Sequence, residues 1–335
     1  MMKSLLFTIL FCLILSHSAF AEITYYIKDR GGSDNFTGTT PATAFRTLDR
    51  VHQILHNERP TDDVRIIILQ GHYYCREMKV PWTYFNYPYT VTIEGAQVHN
   101  RRANFYGHDA NNKRCDRSVW LWIKHSKIAT GLTISNLTIK NYRGAISIEG
   151  RANEPSRTDN GIKIVGNIFE KIGDAHYTSS AVGKGAILLR NTFGNIISGN
   201  IFSEIQNKYE TRGLIHGVYF RSMSHRNQVV ANKFIDISGS AIKLTDYSNE
   251  NRFYRNTFEK TTWAIVDRWC GAKEDPTTAC GNAEPQCPSW GNKFDLSTNN
   301  RNYVGPNVRS VWVAEIPEGQ TCRYPPSATR PRMFM

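Results

Sequence analysis

The chain has 335 residues, 40% of them hydrophobic and 21% charged, and carries a formal charge of +12 at pH 7. Such a surface favours anionic partners, an acidic polysaccharide, a nucleic acid or a negatively charged envelope, but no helix-turn-helix, zinc finger or basic helix is visible, which excludes a specific DNA-binding protein. Beyond the N-terminal apolar run, no segment approaches the roughly 20 apolar residues of a membrane span.

That first run has a different meaning. Lys3, the apolar stretch from Leu5 to Leu15 and the small-residue site Ala19-Phe20-Ala21 read as a secretory signal over residues 1–21, cleaved after Ala21. Cys12 follows Phe11, where a lipoprotein site needs a small residue, so lipidation is not expected. The mature protein is then a single domain over 22–335, secreted or periplasmic and monomeric. Early in it Tyr73, Tyr74, Trp82, Tyr84, Phe85, Tyr87 and Tyr89 crowd together, and Trp120, Trp122, Trp263, Trp269 and Trp290 follow. Such rings either stack on sugars or cover the ends of the fold.

The middle of the chain repeats. Residues 185–202, 217–234 and 241–258 align without a gap, and clear repeats extend over about 130–300. Each unit has an apolar alternation, an Asn (Asn195, Asn227, Asn251), a second Asn (Asn200, Asn232, Asn256) and then a Phe (Phe202, Phe234, Phe258). Weaker copies occur at Ser135-Asn136-Leu137, Gly166-Asn167-Ile168-Phe169 and Gly291-Asn292-Lys293-Phe294, about six coils in all. A period of this length belongs to solenoids, in which no repeat buries its apolar face without stacking on the next. Short period-two runs between Gly, Asn and Ser are strands. Stacked about 4.8 Å apart, Asn over Asn forms amide ladders and Phe over Phe fills the core. The predicted fold is all-β: a single-stranded parallel β-helix, right-handed as parallel crossovers are.

Six cysteines remain after the signal: Cys75, Cys115, Cys270, Cys280, Cys287 and Cys322. An even count in an exported chain reads as disulfides. Four of them fall in the irregular segment of about 268–335, which is expected to staple a cap over the open end of the solenoid.

The opening segments Thr24-Tyr25-Tyr26-Ile27, Gly32-Ser33-Asp34-Asn35-Phe36-Thr37-Gly38-Thr39 and Phe45-Arg46-Thr47-Leu48 resemble those of secreted right-handed β-helix proteins of the pectate-lyase superfamily. The resemblance continues through Val64-Arg65-Ile66-Ile67-Ile68-Leu69 and the Asn-bearing coils to the stretch from Cys287 to Phe294. It implies a capping helix near Thr47 to His56, with Leu48, Val51, Ile54 and Leu55 on one side. This superfamily holds lyases, epimerases, hydrolases and adhesins, and a fold does not fix a function.

Two consecutive repeats carry enlarged loops, between Phe169 and Gly185 and between Phe202 and Gly217. They contain Asp174, His176, Lys184, Lys208, Glu210, Arg212 and His216, a dense acid–base set. If Val218, Phe220, Ile242 and Leu244 point inward, Tyr219, Arg221 and Lys243 face out beside these loops, with Tyr219 and Lys243 stacked neighbours. Elimination on a polyuronate needs cations for the substrate carboxylate, a base for the C5 proton and a donor for the leaving oxygen. The resemblance to β-helix lyases and epimerases implies in general terms that His216, Tyr219, Arg221 and Lys243 supply the catalytic roles; from the loops, His176, Lys184, Lys208 and Arg212 are expected to hold the substrate. Calcium-dependent lyases gather several carboxylates, whereas Asp236, Asp246 and Asp267 fall singly in different coils, so no cofactor is expected and calcium stays an alternative. The function expected is a lyase or C5-epimerase on acidic polysaccharide. The alternative is a non-catalytic glycan-binding envelope or adhesion module.

Overall fold

The computed structural model describes residues 22–74, 82–83, 89–96, 102–113, 118–124, 131–150, 161–177, 182–245, 247–267, 289–295 and 302–313. The expected signal, all six cysteines of the expected disulfides, Asp246, Tyr84, Phe85, Tyr87 and Trp269 lie outside them.

The apolar alternations fold as parallel strands, and every coil after the first contributes a rung to each of three faces. The first face is a nine-stranded sheet running from Ile23–Ile27 to Lys293–Phe294. Its rungs pair in parallel, as in Ile164 beside Ile197 and Val229 beside Phe253. A 14-stranded sheet forms the other two faces. Ile168–Ile172 and Ile201–Ile205 lie on the second face, and Gly144–Glu149, Gly185–Arg190 and His216–Arg221 on the third. Lys233–Leu244 and Thr257–Asp267 run around the corner without interruption and join the two. The result is the expected parallel β-helix, with nine rungs on its first face rather than about six coils.

Both Asn positions lie at corners, and both form ladders. Asn167, Asn200, Asn232, Asn256 and Asn302 stack between the first and second faces. Each Oδ1 from Asn200 onward accepts the backbone N–H of the preceding Asn at 2.9–3.0 Å and its Nδ2–H at 2.9–3.2 Å. Asn195, Asn227, Asn251 and Asn292 repeat this pattern between the third and first faces. All but Asn292 are essentially buried. The amides thus satisfy backbone groups that a sharp turn removes from the sheet ladder.

Inside, Phe169, Phe202, Phe234 and Phe258 stack with ring centroids 5.0, 4.6 and 5.2 Å apart. At the N-terminal end the helix Leu48–Glu58 starts at Thr47, whose hydroxyl accepts from the Arg50 N–H, as an N-cap should. Its buried Leu48, Val51, Ile54 and Leu55 join the same core as the strands.

Candidate functional site

The third face positions the candidate residues. Its strands Val119–Lys124, Gly144–Glu149, Gly185–Arg190, His216–Arg221 and the second half of Lys233–Leu244 lie side by side in register. Val218, Phe220, Ile242 and Leu244 are buried, which turns their neighbours Tyr219, Arg221 and Lys243 outward, as the alternation predicts. One column across the face reads Trp122, Ser147, Leu188, Tyr219, Lys243. At about 4.8 Å per rung it spans roughly 19 Å along the axis. Beside it runs a charged column, Glu149, Arg190, Arg221.

Trp122, Ser147 and Leu188 belong to an open cleft of about 430 Å³. Arg143 and Lys184 bring two cations to it and Glu149 a carboxylate. One rung further on is Tyr219, with Lys243 Nζ 5.4 Å and the Arg221 guanidinium carbon 5.9 Å from its ring centroid. The Thr245 hydroxyl approaches the Tyr219 hydroxyl at 3.4 Å.

Two loops border this surface, and each leaves the second face and returns to the third. The buried Asp174 carboxylate on the first loop accepts from the Lys208 N–H at 2.6 Å and the Thr211 hydroxyl at 3.1 Å on the second. Asn207 completes the tie: its Oδ1 accepts the Asp174 N–H at 3.0 Å and its Nδ2 donates to the Gly183 carbonyl at 3.0 Å. The second loop therefore braces Val182, Gly183 and Lys184, which lead into the cleft wall.

His216 lies beneath this surface, only 3% exposed, with its ring 5.2 Å from Tyr219 at 72°. Its Nδ1 accepts the Ser240 N–H at 3.3 Å and faces the Ser240 hydroxyl at 2.8 Å. A backbone N–H can only donate, so Nδ1 is the acceptor and the imidazole proton sits on Nε2. Burial first, and then Lys243 nearby, push the His216 pKa well below the ordinary histidine value, so the ring is neutral at pH 7. Nε2 is buried and has no hydrogen-bond partner among the described residues.

The residues singled out in the sequence thus separate into three groups. Lys184, Tyr219, Arg221 and Lys243 share the outer surface, with His216 directly below it. Lys208 and Arg212 are exposed on the second loop, at and within its 3₁₀ helix Tyr209–Leu214. His176 sits beside Lys171, Glu204 and Asp236, and burial lowers its pKa. Arg143, Ser147 and Glu149 were missed, although Gly144-Ala145-Ile146 opens its strand as Gly185-Ala186-Ile187 does and marks the same face one coil earlier. No three His, Cys, Asp or Glu side chains converge as a metal site among the described residues.

No protein-family model matches the chain, and no curated protein matches it. Among solved structures, an alginate lyase from Paenibacillus sp. strain FPU-7 aligns with 10% identity over 78% of this chain and 97% of its own, at a TM-score of 0.32. A pectate lyase from Bacillus sp. N165, solved with trigalacturonate, aligns with 14% identity over 92% of this chain and 88% of its own, at a TM-score of 0.33. Likeness at this level leaves the activity to be argued from the third face itself.

Proposed function

We propose that the protein binds an acidic polysaccharide along its third face and acts on it as a lyase or C5-epimerase, as an exported monomer. The observation that carries this reading is the continuity of the cleft, with Trp122, Arg143 and Lys184, into the outward Tyr219, Arg221 and Lys243 of the next two coils. An indole face suits a pyranose ring and the cations suit its carboxylates.

In elimination the cations hold the uronate carboxylate and stabilise the charge that builds on it as the C5 proton departs. The electron pair of the C5–H bond forms the C4–C5 double bond while the C4–O bond breaks, and the leaving oxygen takes up a proton. Tyr219, in its phenolate form, takes the C5 proton, and the Lys243 ammonium gives one to the leaving oxygen. Epimerisation shares only the removal of the C5 proton: the electron pair is held on the carboxylate as an enolate, the C4–O bond stays intact, and a proton is returned to the opposite side of C5. His216, neutral and buried, supports the Tyr219 ring from below.

The test is incubation with pectate, alginate or a glycosaminoglycan. Elimination generates an unsaturated product absorbing in the near ultraviolet, and epimerisation changes uronate composition without cleavage. Lys243→Ala and Tyr219→Phe should each lower the rate by about 10²-fold or more, with melting temperatures near wild type. Full activity in both variants would remove these residues from the chemistry. The second reading, a glycan-binding adhesion module, draws on the burial of His216, which takes one acid–base group out of reach of a substrate. It predicts binding without any product.

A further inference from the structure

The short 3₁₀ helix Tyr209–Leu214 buries none of its side chains. Tyr209 is 75% exposed and Leu214 43%. The Arg212 guanidinium carbon stands 4.7 Å from the centroid of the Tyr209 ring. Nothing in the core is gained by ordering this tip, yet it is firmly held: Asp174 binds it from the neighbouring loop, Asn207 Nδ2 also donates to the Thr211 carbonyl at 3.3 Å, and the Ser238 hydroxyl donates to the Arg212 carbonyl at 2.8 Å. A buried carboxylate is costly unless it is hydrogen-bonded, and the Asp174 carboxylate meets that need by holding this tip. The tip thereby fixes an exposed aromatic ring and a cation side by side on a loop next to the third face.

We infer that Tyr209 and Arg212 form an outer subsite for further residues of the same acidic polysaccharide, an inference that rests on the cleft reading above. The chemistry is specific. A uronate residue presents an apolar C–H face to the side of the phenol ring that Arg212 leaves open, and a carboxylate to the guanidinium that covers the other side. The placement agrees, because the loop bearing the tip braces residues 182–184 and enters the strand His216–Arg221, one rung beyond the strand that follows Lys184. A chain lying from the cleft toward Tyr219 and Lys243 crosses the rung at whose N-terminal end this loop stands. The tip lengthens the binding surface and favours polymer over short fragments.

The experiment measures the affinity of wild type, Tyr209→Ala, Arg212→Gln and Tyr209→Trp for polygalacturonate, alginate and chondroitin sulfate, each as polymer and as its tetrasaccharide. Wild type should bind the polymer more tightly than the tetrasaccharide, and equal affinity for the two overturns the outer subsite. The preference should fall about fivefold or more in Tyr209→Ala and Arg212→Gln and survive in Tyr209→Trp, which keeps an aromatic face. Asp174→Ala, which releases the tip without changing its side chains, should lose the preference as well. An unchanged preference in the alanine and glutamine variants overturns the outer subsite and leaves the cleft reading intact. If wild type binds none of the three glycans in either form, the subsite and the cleft reading fall together.

Discussion

A single ladder amide illustrates how much one residue carries. Asn232 accepts from the backbone N–H and Nδ2 of Asn200 and donates to Asn256 Oδ1 and to the carbonyls of Ile197 and Val230. Asn232→Ala leaves several of these groups buried and unpaired, at about 1–3 kcal/mol each. We expect denaturant unfolding to show a loss of about 3 kcal/mol or more, and a loss under about 1 kcal/mol would mean that water replaces the amide. Titrating residues act in opposite directions. Burial lowers His52 and His225 to about 4, so the stability they contribute is complete above the unfolded value of 6.5 and is lost as pH falls toward 4. Burial raises Asp267 to about 7, so its contribution is complete below the unfolded value of 3.8 and is lost as pH rises through 7. Asp267→Asn isolates the second effect: its melting temperature relative to wild type should rise between about pH 5 and pH 8. A constant difference across that range would show that the carboxyl does not titrate against burial.

At the scale of strands and corners, the phenylalanine stack and the residues beside it fit each other closely. Phe234 lies between Phe202 and Phe258, and Phe234→Ala should cost about 3–5 kcal/mol in equilibrium unfolding. A cost under about 1 kcal/mol would place the ring outside the core. Ala186 and Ala241 flank Gly217 in register, and the reason for the glycine is the same ring: a Cβ at Gly217 would lie 2.7 Å from Phe234 and 2.6 Å from the Ala241 carbonyl. Gly217→Ala should therefore cost about 1–3 kcal/mol through overpacking, and a neutral effect would contradict the close approach. The central repeats were legible because their corners need an inward Asn and their core a Phe, each once per coil. The earlier rungs Ile23–Ile27, Val64–Ile68 and Val91–Gly95 lack this signature. At Gly95 the corner closes instead by direct approach to the Asn136 carbonyl, where a Cβ would collide. That contact leaves no repeated letter to read, which is why about six coils are visible in the sequence where the described residues form nine rungs on the first face.

At the scale of the whole molecule, coil stacking converts sequence spacing into a surface. Residues about 24 to 32 apart in the chain become adjacent rungs, so Leu188, Tyr219 and Lys243 align although no local motif joins them. The outward side of this column followed from alternation alone. The depth of His216 did not, because it depends on Tyr219 and Ser240 packing against its ring. Nor did the cleft, because Arg143 comes from just before its strand and Lys184 from a loop whose position is set by Asp174 and Asn207. The pair of cations in that cleft is the centre of the account, which requires an acidic glycan to lie there. The most direct measurement is titration calorimetry of pectate, alginate and a neutral glucan against wild type and the double variant Arg143→Gln/Lys184→Gln, at low and at high salt. Wild type should bind an acidic polymer selectively, with an affinity weakened by salt and at least about tenfold lower in the double variant. Equal affinity for the neutral glucan, or undiminished binding of the acidic polymer by the double variant, would contradict it.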